Sequence, residues 1–397
     1  MFILKDYQHK HILPPDLASL YTSRTIILVA SGFLGLFLPV FLLINIKSLE
    51  LVLLYYLIGW GLYLFLVAPG AMLINKFGIK AVFTAALPVL ALYYATLYFL
   101  PGDVLVFTVL SMLVLVLYRM LYWVPYHTEF ASLSQRENRG KQLGLLDFFS
   151  SFLGIIIPLV SGFLIKEFGF QLVFVIVIIL IFTAMIPLRF LPRLKVRYSW
   201  SYKKTWQEFF SRKNRKMMLA YMGDGAENWV GGALWPIFIW QLLEGQYLTV
   251  GAISSVITLA AVVLKLAVGD YSDKFSKRKM MRIGSILYAF GWIVKMFITT
   301  AFQIFLASTY HNFALILLRT PLDALMYEKA ADSGHYVDEY STLREMFLQL
   351  GRVIVIVAVL LLLRFLPLNL VFFLAAIASL LVNLLPHHGI YEKTGVR

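Results

Sequence analysis

Apolar residues fill this chain in long runs, each closed by a cluster of charges, a proline or a glycine. A helix rises 1.5 Å per residue and needs roughly 20 apolar residues to cross the hydrocarbon core of a bilayer. The runs therefore predict spans near 25–46, 50–74, 81–100, 104–124, 143–165 and 169–188. A second set follows near 217–243, 247–268, 283–300, 302–318, 345–363 and 367–385. The weakest division separates the ninth from the tenth, because Ile283 to Leu318 is nearly continuous and only Thr299, Thr300 and Gln303 suggest a turn. The expected fold is an all-α membrane protein with twelve transmembrane helices.

The two sets repeat each other. Gly35-Leu-Phe-Leu-Pro39 in the first span matches Gly232-Ala-Leu-Trp-Pro236 in the seventh. The loop Gly269-Asp-Tyr-Ser-Asp273-Lys274-Phe-Ser276-Lys277-Arg278 has a fainter copy in Ala71-Met-Leu-Ile-Asn75-Lys76-Phe77-Gly78-Ile79-Lys80. Arg119 with Glu129 near the end of the fourth span corresponds to Arg319 with Glu328 after the tenth. Offsets of 197 to 200 residues recur throughout. Repetition at that distance predicts two six-helix pseudo-repeats, residues 1–188 and 217–397, enclosing a path near the midplane. Residues 189–216 join them as a basic linker. Its ten Lys and Arg are interleaved with Trp200, Tyr202, Trp206, Phe209 and Phe210, which suits a segment lying among headgroups.

Composition sharpens the picture. Of 397 residues 60% are hydrophobic, and mean hydropathy is +0.81, against about 45–50% apolar in soluble domains. Net charge is +14, but its placement decides its meaning. With both termini cytoplasmic, 28 of the 35 Lys and Arg fall on the inner side and only Lys47, Lys166 and Arg364 on the outer. That asymmetry reports orientation in a cytoplasmic (inner) membrane rather than a nucleic-acid partner. No signal peptide is expected, since residues 1–20 contain no long apolar run. The chain has no Cys, and its His residues lack metal-ligand spacing, so neither metal nor cofactor is expected. There is no phosphate-binding G-x-x-x-x-G-K-[ST] loop and no nucleophile constellation, which argues against an ATP-driven pump and against an enzyme.

The two loops resemble the major facilitator superfamily signature G-x-x-x-D-R-x-G-R-R, which lies between the second and third helices of each half. The resemblance implies a monomeric secondary transporter that moves a small solute by alternating access. It also assigns a cytoplasmic gate to Gly269, Asp273, Lys274, Lys277 and Arg278, with Asn75, Lys76 and Gly78 in the weaker copy and Glu129, Arg136 and Arg139 as their partners. Asn75 stands where the family has an acid. Gly154-x3-Pro158-x2-Ser161-Gly162 is similar to a glycine–proline element of the superfamily's proton-coupled exporters, and it equally suits close helix packing.

Charges inside spans are the candidate chemistry, since each costs about 2.5–3.5 kcal/mol at mid-helix on insertion scales. In the seventh span, Asp224 and Glu227 share a face, with Asn228 and Trp229 following. Glu227 lies about 15 Å along the helix from Met217, near the bilayer centre. Two acids so placed suit a proton carrier; the alternative is a fixed salt bridge to a neighbouring helix, for instance to Arg352. Arg119 resembles the superfamily's coupling arginine of the fourth helix and could instead pair with Asp147. Arg352 is a candidate for an anionic group or for countering Glu227, with Asn228, Trp229 and Trp235 as further cavity candidates. Lys265 and Lys295 are expected to snorkel toward the interfaces. The expected function is proton-coupled solute transport; a lipid flippase or scramblase on the same fold and a facilitated uniporter are the alternatives.

Overall fold

A computed structural model describes residues 15–133, 139–192, 197–272, 277–332 and 337–385. Among them the chain is helical throughout, without strands. The first run holds α1 (Pro15–Gly35), α2 (Leu38–Ile46), α3 (Leu49–Phe77), α4 (Ile79–Phe99) and α5 (Val104–Leu133). The 50-residue α6 (Arg139–Leu188) breaks at Gly169, whose φ of 78° suits glycine alone, so one element holds both the fifth and sixth predicted spans. The linker carries the short α7 (Tyr202–Phe209). The second run holds α8 (Arg215–Trp229), a π-helical turn over Val230–Leu234, α9 (Trp235–Leu242), α10 (Tyr247–Ser272), α11 (Lys277–Lys295), α12 (Ala301–Asp332), α13 (Val337–Leu362) and α14 (Phe373–Leu381).

Eight helices among the described residues are long and apolar enough to cross a membrane, which makes this a multi-pass membrane protein. The remaining predicted spans are masked by their own chemistry. α8 carries Asp224 and Glu227, α11 opens on Lys277, Arg278, Lys279 and Arg282, and α14 is short between 3-10 turns. The doubtful turn at 299–303 exists. Gln303 Oε1 accepts the Thr299 and Thr300 backbone N–H groups at 2.7 and 3.2 Å, which ends the connection from α11 and starts α12.

Lipid-facing and buried positions alternate at helical period. Along α3, Leu51, Leu54, Ile58, Leu62 and Phe65 are exposed, while Tyr56, Tyr63 and Val67 are buried. Helices of the first run pack on one another as α1–α6, α4–α5, α3–α5 and α4–α6, and those of the second as α11–α12, α8–α13, α8–α14 and α10–α12. Across the runs, α6 packs on α10, and α13 packs on α3 and α5. Small residues permit these approaches. A Cβ at Gly162 would strike the Tyr247 backbone, and one at Gly251 the Pro158 carbonyl. Ser161 donates to the Phe33 carbonyl of α1. The glycine–proline element of α6 thus forms a packing seam with α1 and α10.

α8 and α13 are brought together in the same way. Gly225 lies against the Leu348 backbone and Gly351 against the Met222 backbone, each so closely that a Cβ would overlap it. That contact sets the acids of α8 beside the polar face of α13.

Candidate functional site

The buried polar residues of α8 are built into one cluster with α11 and α12. Arg319 Nη2 lies 2.6 Å from Asp224 Oδ1 and 3.6 Å from Glu227 Oε2. The Tyr288 hydroxyl donates to Glu227 Oε1. Both acids are 4% exposed. A guanidinium shared between two carboxylates leaves this group with one net negative charge, and the tyrosine offers a neutral donor to the acid that Arg319 holds less closely. The ion pair that the sequence suggested for Glu227 is therefore made by Arg319, not by Arg352. Arg319 follows the tenth apolar run, but α12 continues to Asp332 and carries it well inside the helix.

A cavity of about 330 Å³ opens beside this cluster. Glu227, Asn228, Trp235, Lys295, His311 and Arg319 are among the residues that line it. Lys295 does not snorkel: it is 3% exposed, its ammonium 4.2 Å from the ring centroids of both Trp235 and Trp292. Such cation–π contacts are worth about 2 kcal/mol when desolvated. His311 packs on Tyr288 at 3.9 Å between centroids, and its Nδ1 has no hydrogen-bond partner among the described residues. The π turn after Trp229 adds a residue to the helix where Gly231 and Gly232 face the cavity, a distortion frequent at functional sites. Trp229 lies outside the cavity lining, buried edge-on against Tyr56 of α3 at 6.0 Å.

A second polar chain joins α13 to α5 and α3. Arg344 Nη1 lies 3.0 Å from Glu345 Oε1 and 3.3 Å from His127 Nε2 of α5. Gln349 Nε2 donates to Glu345 Oε2 at 3.1 Å, and Arg352 Nη1 donates to Gln349 Oε1 at 2.6 Å. The Arg352 guanidinium carbon is 4.1 Å from the Trp60 ring centroid, and that of Arg119 is 3.3 Å from the same centroid. Arg119 makes no ion pair among the described residues, and the Asp147 side chain lies outside them. Two unit charges about 7 Å apart repel by about 2 kcal/mol at an effective dielectric of 20, so the indole between them does not by itself compensate the pair. Arg24, counted at the inner surface by the sequence, is also inside the bundle. It donates to the Tyr122 hydroxyl at 2.9 Å and stacks on Tyr126 at 4.9 Å. With Arg24, Arg319 and Arg344 removed from the inner count of 28, the split is still 25 to three.

At the linker end, Asn75 binds the linker rather than a charge. Its Nδ2 donates to the Tyr198 carbonyl and its Oδ1 accepts the Tyr198 N–H, both at 2.8 Å. One residue on, the Ser199 N–H donates to Glu339 Oε1 of α13 at 2.6 Å. Lys80 Nζ donates to the carbonyls of Arg189 and Leu191 at 2.7 and 2.6 Å. In α7, burial pushes the Glu208 carboxyl up, but Lys213 and Lys204 at 2.8 and 2.9 Å outweigh it and hold it below the ordinary carboxylate range. Gly78, at φ 79°, turns the chain between α3 and α4. Lys76 is exposed, and its ammonium lies 5.2 Å from the Phe77 ring. Glu129 is fully buried, and neither carboxylate oxygen has a hydrogen-bond partner among the described residues. Arg278 Nη2 donates to the Leu385 carbonyl at 3.2 Å. Gly269 falls in α10, Lys277 opens α11 and Arg139 opens α6. The side chains of Lys277 and Arg139, and the residues Asp273, Lys274 and Arg136 altogether, lie outside the described residues.

The architecture has close counterparts among solved structures. The E. coli fucose:proton symporter FucP matches at a TM-score of 0.65 and 13% identity, over 92% of this chain and 96% of that one. The peptide transporter POT matches at 0.66 and 13%, over 94% and 93%. The human organic anion transporter MFSD10 matches at 0.62 and 12%, over 93% and 98%. The chain has the fold of major facilitator superfamily transporters. No protein-family profile matches it. The uncharacterised protein YqgE of Bacillus subtilis (strain 168) is 26% identical over 253 residues, 60% of this chain and 57% of that protein. The matched stretch thus spans little more than half of that relative.

Proposed function

We propose that this protein is a secondary transporter that moves a small solute across the cytoplasmic membrane by alternating access, coupled to protons. The observation that carries the reading is the Asp224–Arg319–Glu227–Tyr288 cluster at the wall of the cavity. Two acids sharing one guanidinium can pass between singly and doubly charged forms, and a change of access from one side to the other delivers the exchanged proton. Residues 1–188 and 217–397 form the two six-helix halves, and 189–216 tie them at the cytoplasmic face, where both termini lie. Counting α6 as two passes, and α8 with α9, α11 and α14 as one each, brings the eight apolar spans to twelve. The FucP and POT neighbours, one a proton symporter by name, support transport as the use of this fold.

The test is transport in proteoliposomes against a defined panel of sugars, amino acids, dipeptides, nucleosides and carboxylates, with an imposed pH gradient. The expected result is that at least one solute accumulates. Glu227→Gln should then abolish accumulation while sparing exchange of the same solute without a gradient. Accumulation that survives in Glu227→Gln with an unaltered pH dependence removes Glu227 from the mechanism.

A further inference from the structure

We propose that Arg119 and Arg352, with Trp60 between them, form the binding site for an acidic group, a carboxylate or a phosphate, on the transported molecule. The inference rests on the transporter reading above and names the substrate class.

The geometry starts from Trp60 on α3. Arg119 of α5 and Arg352 of α13 place their guanidinium carbons 3.3 and 4.1 Å from the same ring centroid. A planar guanidinium at 3.3 Å covers the ring face it lies on, so the second must take the opposite face. The two cations are then no further apart than those two distances added together. They come from helices of different halves, which meet where α13 packs on α3 and α5.

No described acid pairs with them directly, although Glu345 and Asp224 attract Arg352 from beyond contact. Neither has a carboxylate within ion-pair distance among the described residues. Arg119 has no hydrogen-bond acceptor there, and Arg352 has only the neutral Gln349 amide. The nearby acids are engaged elsewhere: Glu345 with Arg344 and Gln349, Asp224 and Glu227 with Arg319. The other unsatisfied polar atoms on this face of α3 can all donate. Among the described residues, Trp60 Nε1 is a buried N–H without an acceptor, and one turn on, the Tyr63 hydroxyl is buried without a partner. Two cations and two idle donors form a site rich in donors and poor in acceptors. Buried charges are ordinarily paired, and an acidic oxygen supplies what this constellation lacks. Stacking on an indole holds a guanidinium in place while leaving its edge N–H groups free for bidentate recognition of carboxylate or phosphate. A neutral sugar would leave the two positive charges uncompensated.

The same chemistry could come from a soluble solute or from a lipid headgroup, and the experiment separates them. The purified protein is reconstituted in nanodiscs of phosphatidylcholine and titrated calorimetrically with succinate, inorganic phosphate and glucose. Succinate or phosphate is expected to bind and glucose not. Arg119→Gln and Arg352→Gln should each weaken that binding about tenfold to a hundredfold, the usual effect of deleting a charged hydrogen-bond donor. Arg352→Lys, which keeps the charge, should lose less. In a second arm, discs containing phosphatidylglycerol should raise the melting temperature of the wild type, but not of the Gln variants, if the acidic group belongs to a lipid. Unliganded melting and gel filtration show whether each variant is folded.

The proposal is overturned if neither anion binds and phosphatidylglycerol has no effect. It is equally overturned if folded Gln variants respond as the wild type does. Anion binding is titrated without a pH gradient and proton coupling is read as gradient-driven accumulation, so a failure of coupling and a failure of the anion site are read from different assays.

Discussion

Replacing Arg319 by Gln removes the cation shared by Asp224 and Glu227 while keeping much of its length. Unit charges about 4 Å apart attract by about 4 kcal/mol at an effective dielectric of 20. The Arg319 side chain is 22% exposed and the two acids nearly buried, so water screens part of that attraction. A loss of about 3 kcal/mol follows, at the low end of the roughly 3–5 kcal/mol measured when one partner of a buried pair is deleted. Asp224→Asn alone should cost less, because it removes the excess negative charge and leaves Arg319 with Glu227 at 3.6 Å. The double variant removes charge of both signs, so it should lose about 2 kcal/mol less than the two single losses added together. The assay is denaturant or thermal unfolding of the four purified proteins in one detergent, followed by tryptophan fluorescence. Strict additivity would refute the argument, since it would mean the 2.6 Å contact carries no coupling.

Three further outcomes follow from named contacts. Asn75→Ala removes both bonds to Tyr198 and should speed proteolysis within 197–209; Asn75→Asp keeps the acceptor for the Tyr198 N–H but turns an acidic oxygen toward its carbonyl, and should do the same. Glu208 has its carboxyl depressed in the folded state, so its contribution is present above the ordinary carboxylate range of about 4 and is lost as pH falls below that; Glu208→Gln should abolish this acid-sensitive, salt-sensitive part, about 0.5–1 kcal/mol at most, read from melting curves between neutral and acid pH. Gly351→Ala should lower the yield of monodisperse protein on gel filtration, at about 1–3 kcal/mol for overpacking, whereas Gly232→Ala, with open space at its Cβ, should be silent.

The run lengths and charge clusters of the sequence carried the order of helices and the acids of α8, because both are local patterns. The turn at 299–303 was legible for the same reason: Thr299, Thr300 and Gln303 bond one another across four residues. Two of the misses share a cause. A span read from apolar residues stops at its first charge, but a helix continues through a charge that finds a partner inside. Arg319 fell at the end of the tenth run, although α12 extends thirteen residues beyond it. Arg24 fell before the first run, although α1 begins at Pro15. A charge just beyond an apolar run, followed by further good helix formers, is the signal that would have found both. Trp60 gave no such signal, because an aromatic residue in a span looks the same whether it meets lipid, core or two guanidiniums. Its role exists only once α3, α5 and α13 are packed.

Tyr198 and Ser199 are neighbours in sequence, yet one is held by Asn75 of α3 and the other by Glu339 of α13. The ends of these two helices are therefore tied through a tether two residues long, and consecutive Cα atoms are only about 3.8 Å apart. A tether that short has almost no slack. Any movement that parts α3 from α13 at this end by more than a few ångströms must release either the paired Asn75 bonds or the Glu339 bond. Release at one point hands the whole strap to the other helix, so the motion has a threshold and a preferred direction of failure. The segment that joins the two runs of helices would then act as a detent, giving this end two resting positions instead of a continuum.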